Sequence, residues 1–378
     1  MRIEQRQWSA AGGWEAPTGA VGGPADVVLF FGAPEALTRE ASLGRLRELY
    51  GPAPLFGCST AGEIGGVHVR DGSVVATAVR LEKSRLRIER IRLGDVAGDS
   101  GAAGRKLAGA FPVEGLRHLF VLSDGIQVNG SELVRGMTSV LPKDVGVTGG
   151  LSGDGDRFAH TFVCAGEGGP EEGVVAAVGF YGPSLRVGCG SLGGWDPFGP
   201  ERCVTRSAGN VLYELDGRSA LALYKEYLGE HAAGLPASGL LFPLSLRGAG
   251  SDPGVVRTLL AVDEQRGSVT FAGDVPEGRY VRLMKANFER LIDGASGAAQ
   301  AAAPPGASTE LALLISCVGR KLVLQQRVEE EVEAAREALA GDPVLAGFYS
   351  YGEISPFTAS ARCELHNQTM TITTLSEA

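Results

Sequence analysis

Two short stretches of this chain are written to one pattern, and that repetition constrains the fold more than any other feature. Near the start stands FGCSTAGEI (Phe56 to Ile64), and near the end GFYSYGEISP (Gly347 to Pro356). Aligned from Gly57 and Gly347, both read G-x-x-[ST]-x-G-E-I. Their surroundings repeat as well. DVVLFF is an apolar strand run, followed by TREASLGRLRELYG with Leu43, Leu46 and Tyr50 at helical spacing and Gly51-Pro52 as its stop. A strand then enters the first loop, and GSVVATAVRL follows as another strand. In the same order come the strand ELALLISCVG, a helix around QRVEEEVEAAREALAG ended by Gly341, the strand and loop VLAGFYSYGEI, and the alternating strand NQTMTITTL. A looser copy lies between them, in RHLFVLSDG, SELVRGMTSVLP with Ser131 as N-cap, VGVTGGLSGDGD and GVVAAVGFYG.

A unit of strand, helix, strand, glycine loop and strand implies parallel pairing across each helix and antiparallel pairing for the later strands. The expected fold class is therefore α/β, with two tandem domains of mixed β-sheets and packed helices. Its 378 residues also suit two domains. The expected division is an N-terminal extension over 1–25, a first domain over 26–200 and a second over 201–378. Ser9 to Pro24 and the low-complexity run Ala295 to Thr309, with Pro304-Pro305, read as linkers, the latter mobile. In the second domain, GNVLYELDGRSALALYKEYLG reads as strand, turn and helix, and RTLLAVDEQRGSVTFAGDVPEG as two strands about Gly267.

A net charge of −9 argues against nucleic acid and anionic membrane as partners. The one basic run, KSRLRIER, alternates as a half-buried strand would. No apolar run approaches the length of a membrane span. Six scattered cysteines, without a CxxC pair, suit free thiols in the cytoplasm, and no Cys or His pair has zinc-ligand spacing. VGCGSLGGW is formally G-x-G-x-x-G, but Trp195-Asp-Pro197 follows instead of a helix, so dinucleotide binding is rejected. No cofactor and no metal are expected.

The chain resembles the FIST family, sensory domains in tandem N and C halves. FGCSTAGEI, LSDGIQVNGSELVRG and VTGGLSGDG carry the resemblance in the first half. LYELDGRSALALYKEYLG, GSVTFAGDVPEG, SCVGRK, GFYSYGEISP and ELHNQTMTITTL carry it in the second. It implies a small ligand, such as an amino acid, in signal transduction, with output through a partner protein, and it brings no catalytic residues.

Candidate ligand residues sit in the loops. Gly62 and its neighbours expose amides suited to a carboxylate, Ser59, Thr60 and Ser350 offer hydroxyls, and Glu63 and Glu353 suit an ammonium group. The competing reading is that each Glu satisfies backbone amides in a turn. Cys58 and Tyr351 differ from their counterparts Phe348 and Ala61, which makes them candidates for specificity. Asp124, Ser152, Asp154 and Asp156 lie in Gly-rich loops, where Asp could hold a hard metal such as magnesium or an amine, and where a turn is its more common use. Arg320 suits a ligand carboxylate or the acidic cluster Glu329–Glu331. The alternative function is a thiol-dependent hydrolase or transferase with Cys58 as nucleophile and His68, nearest in sequence, as base.

Overall fold

A computed structural model describes residues 1–247, 254–303, 308–356 and 363–378, apart from the side chains of residues 40 and 41. The repeated unit occurs three times. Each opens with a wholly buried or nearly wholly buried strand: Val27–Gly32, Leu116–Ser123 and Leu311–Cys317. After a helical crossover a second strand lies parallel to it: Leu55–Ser59, Gly146–Leu151 and Val344–Ser350. A return strand pairs antiparallel with the opening strand on its other side: Ser73–Arg80, Val174–Tyr181 and Met370–Glu377.

The strand after each glycine loop leaves its own unit. Glu63–Gly65 of unit I pairs with Val344–Ser350 of unit III. Gly352–Pro356 of unit III pairs with Gly146–Leu151 of unit II, and Val163–Gly166 of unit II pairs with Leu55–Ser59 of unit I. The exchange is cyclic, so three sheets are tied into a ring. Their inner faces share one apolar core. Val27, Leu29 and Phe31, then Phe120 and Leu122, then Leu311, Leu313 and Ile315 point into it from the three opening strands. The intervening residues, such as Val28, Val121 and Leu314, face outer clusters under the helices. Burial on both faces explains why these strands read as unbroken apolar runs.

The first residues belong to this body. Arg2–Ser9 forms eight register pairs with the return strand of unit I, where an N-terminal extension was expected. KSRLRIER supplies the edge strand Arg85–Arg92 beside Val174–Tyr181, half-buried as its alternation predicts. Asn129, not Ser131, caps the helix Gly130–Thr138, its side chain accepting from the Glu132 amide.

Residues between units II and III build an antiparallel sheet of their own, inserted in the ring. The strand Asp196–Ala208, which spans the expected domain boundary, is its longest member. The expected turns at Asp216-Gly217 and Gly267 are present, with positive φ at all three residues. The linker reading of 295–309 is overturned where it is described. Phe288–Ala302 is one helix, and Gly294, Ala295, Ala298, Ala299 and Ala302 are its buried stripe. These small residues let the helix lie against Gly188 and Gly190, where an added Cβ would come within 1.9 Å of the Ala302 oxygen and 2.2 Å of the Ala298 oxygen. Glycines that resemble a nucleotide fingerprint thus serve close backbone packing. Pro304-Pro305 lies outside the described residues.

Candidate functional site

The three glycine loops meet at one end of the ring. Gly57, Gly149 and Gly347 hold equivalent places, because a Cβ on each would stand 2.0, 1.9 and 1.8 Å from the opening-strand carbonyl oxygen of Phe30, Val121 and Leu314. Counting from them, Thr60, Ser152 and Ser350 are equivalent, as are Ala61, Gly153 and Tyr351. Three matching hydrogen bonds link neighbouring loops: Ala61 N to Tyr349 O (2.8 Å), Gly153 N to Ser59 O (3.0 Å) and Tyr351 N to Leu151 O (3.1 Å). The third loop is the partner that closes this ring, which is why the motif recurs.

The glutamates stand at the start of the exchanged strands. Glu63 is 1% exposed and accepts from Thr60 Oγ1, from Ser73 N at 3.0 Å and from Ser73 Oγ at 2.7 Å. Glu353 repeats this with Ser350 Oγ (2.7 Å), Thr369 N (3.2 Å) and Thr369 Oγ1 (2.9 Å). Burial pushes their carboxyls up to about 7 and about 8, against these hydrogen bonds. At the matching register unit II carries Val163, and opposite it Val174 replaces Ser73 and Thr369; both valines join the shared apolar core. A carboxyl with hydroxyl partners and an apolar pair are thus alternative fillings of one structural place. The geometry favours the turn reading of the glutamates over the ammonium reading.

Other candidates are occupied in the same way. Asp124 accepts from the amides of Ile126, Gln127 and Gly173 at 2.7 to 2.8 Å. Asp154 accepts from Phe158, Ala159 and His160, each at 2.9 Å, and from the Tyr351 hydroxyl, whose ring stacks on Phe158 at 4.3 Å. Ser59 Oγ accepts from Phe162 N at 2.8 Å, and Ser152 Oγ donates to Ser123 O at 2.9 Å. Arg320 is wholly buried and makes five hydrogen bonds: two to Glu331, and one each to the carbonyls of Gly193, Gln368 and Leu291. Its donors are spent, so it is an internal ion pair with the acidic cluster and not a ligand clamp.

Cys58 points into the core shared by the three sheets, at the place filled by Phe348 in unit III. Burial raises its thiol well above the ordinary range, which suppresses the thiolate a nucleophile needs. His68 lies at the surface, 3.4 Å from Glu329. The pairing of the two as nucleophile and base has no support in this arrangement.

A cleft of about 560 Å³ opens beside the first loop. All three units wall it: Ala33–Glu35, Thr60–Glu63 and Asp71–Gly72 from unit I, Asp154–Arg157 from unit II, and Val318, Lys321, Leu322 and Gln325 from unit III. Thr60, Gly62, Glu63, Asp154 and Asp156 were expected from the sequence; Glu35, Asp71, Arg157 and Lys321 were not. Two ion pairs face the cleft. Arg157 pairs with Glu35 and donates to Asp154 O at 2.7 Å. Lys321 pairs with Asp71 and donates to Ala61 O at 2.9 Å. Gly62 sits here at φ 140°, a backbone conformation that strains any other residue, and a Cβ added to it would come within 2.6 Å of the Lys321 ammonium. The signal for Lys321 was its place in SCVGRK. In the helix Val318–Leu324, Arg320 shares the buried side with Val323 and Leu324, which leaves the next residue to face outward. No group of His, Cys, Asp and Glu suited to a metal ion occurs among the described residues. No helix among them is long and apolar enough to cross a membrane.

This architecture is that of a mixed α/β protein of two tandem domains with a polar cleft at its loop ring. The FIST N domain matches residues 26–218 and the FIST C domain residues 220–356, so the chain belongs to the FIST family. FIST domains are associated with sensory and ligand-binding roles in signalling. A comparison with curated proteins finds no match. Among solved structures, a cyanuric acid hydrolase from A. caulinodans aligns at 12% identity over 78% of this chain and 99% of that one; its TM-score of 0.16 carries no argument.

Proposed function

We propose that the protein is a cytoplasmic sensor that binds a small zwitterion, an amino acid being the simplest, in the cleft beside the first loop, and signals through a partner protein. The observation that carries this reading is the pair of opposed ion pairs, Arg157 with Glu35 and Lys321 with Asp71, on the walls of one cleft. Their cations suit a carboxylate and their acids an ammonium group, each ion exchanging an internal partner for the ligand. Because all three units contribute walls, an occupant would tie them together, and binding of that kind shifts a conformational population. The free thiols suit a reducing compartment.

The test is a thermal-shift screen of the purified chain against amino acids, repeated with Lys321→Ala and Arg157→Ala. A ligand at a hundred times its dissociation constant adds about 2.7 kcal/mol. The expected result is a selective shift that both variants lose while their unliganded melting stays within a few degrees. A flat screen, or a shift that Lys321→Ala retains, would remove the cleft from consideration.

A further inference from the structure

A second cavity, of about 240 Å³, lies where the inserted sheet meets units II and III. Ser131 and Arg135 of the helix Gly130–Thr138 and Glu364 of the strand Cys363–His366 line one side; Arg257, Asp274 and Arg279 line the other. Three guanidinium groups therefore face two carboxylates. Asp274 is already claimed, accepting from Arg135 Nη2 at 3.1 Å and Asn129 Nδ2 at 3.3 Å. Arg279 Nη2 donates to the Arg247 carbonyl at 2.5 Å, and Glu364 is the other carboxylate on the cavity wall.

Arg257 is the telling residue. It is 5% exposed, yet among the described residues it forms no ion pair with a carboxylate. Its Nε donates to Asp274 O at 3.1 Å, and its Nη1 to Leu365 O at 2.9 Å and Val256 O at 3.4 Å; Nη2 has no hydrogen bond among the described residues. Arg320, likewise buried, sits on Glu331 instead. Beside Arg257, the Ser131 hydroxyl is also buried without a partner among the described residues. A buried guanidinium that has carboxylates nearby but no direct ion pair is costly, and so is a buried hydroxyl without a hydrogen bond. Both face one cavity, and both would be satisfied by an anion placed in it.

We infer that this cavity binds the phosphate group of a small molecule. Guanidinium forks match the oxygens of a tetrahedral oxyanion, and a hydroxyl completes such a shell. The volume is roughly that of eight waters, taking about 30 Å³ for each, which accommodates a phosphate and a short substituent. The ligand would bridge the inserted sheet and units II and III, so its binding would hold the sheet against them. The site is separate from the zwitterion cleft and does not depend on it.

The experiment is calorimetric titration of the full chain with inorganic phosphate and with glycerol 3-phosphate, at constant ionic strength set by chloride. Saturable binding of either is expected, and tighter binding of the ester would identify an organic phosphate as the ligand. Arg279→Gln and Arg257→Lys should each weaken it at least tenfold while the thermal transition persists; Arg257→Lys keeps the charge and removes the fork, so it guards against a variant that fails to fold. Lys321→Ala should leave it unchanged. Heats no larger than those of chloride would overturn the inference. So would binding unaffected by Arg279→Gln and Arg257→Lys, or binding lost in Lys321→Ala.

Discussion

Replacing Glu353 with glutamine should change how the stability of this protein depends on pH, in a direction opposite to that of most carboxylates. Glu353 is wholly buried, and its folded pKa lies near 8 against 4.5 when unshifted, with desolvation outweighing the hydrogen bonds from Ser350 and Thr369. A carboxyl raised in this way keeps a proton in the fold that the unfolded chain has released. Its contribution is therefore complete below the unfolded pKa and is lost as pH rises through the folded one. Between pH 6 and 9 the loss is about 3 kcal/mol for Glu353, and for Glu63, with a folded value near 7, about 1 kcal/mol. Together they remove about 4 kcal/mol, a large share of an ordinary domain's stability. In Glu353→Gln the new side chain has an amide to donate to Ser350 and an oxygen to accept from Thr369, so it reproduces the neutral carboxyl without titrating. Urea unfolding followed by tryptophan fluorescence at pH 6 and pH 9 gives the readout. The wild-type midpoint should fall steeply between the two, and Glu353→Gln should recover more than half of that fall. Equal falls in the two proteins would refute the argument that burial keeps this carboxyl protonated.

Removing the Arg320 side chain should be severe. Arg320→Met strands Glu331 in the interior at a cost of about 3–5 kcal/mol, whereas Arg320→Met with Glu331→Leu should restore much of it, as denaturant midpoints would report. Gly347→Ala places a methyl group 1.8 Å from the Leu314 oxygen, between paired strands that cannot separate without breaking the ladder, and a loss of about 3 kcal/mol or more is expected from chemical unfolding. Cys58, wholly buried with a raised thiol, should resist iodoacetamide at neutral pH and react only after unfolding, while the partly exposed Cys203 reacts in the native protein; mass spectrometry of the labelled peptides distinguishes them.

Much of the fold was legible because its strands are buried on both faces and its helices carry ordinary stop signals. DVVLFF, ELALLISCVG and NQTMTITTL all fall on observed strands, and the helix over QRVEEEVEAAREALAG forms as Val328–Ala338. Periodicity does not show which strand pairs with which, and here the pairing is the unusual part. A strand of three residues such as Glu63–Gly65 has no periodicity of its own, so nothing local announces that it joins Val344–Ser350 from the far end of the chain. The alanine-rich helix Phe288–Ala302 is hidden for a related reason. Small residues with a proline pair after them look like a linker until Gly188 and Gly190 are known to lie beneath them.

The candidate site was legible in part, and the cleft residues that were missed share a cause. A repeated motif reports what every copy of a unit needs, which is loop closure; a ligand needs what one copy has and the others lack. Thr60 with Glu63 and Ser350 with Glu353 recur because each closes its own loop, and they were the residues the repetition made most visible. Lys321, Arg157 and Asp71 do not recur. Their places in units I, II and III follow no common pattern, and only the cyclic exchange of strands brings them to one cleft. Function in a protein built this way is to be sought where the pseudo-repeat fails. Where unit II replaces a buried carboxyl by Val163, the second loop is free to run on through Asp154 and Arg157 before its strand begins, and that extension supplies one wall of the cleft. The departure that removes a glutamate from the ring is the one that provides Arg157.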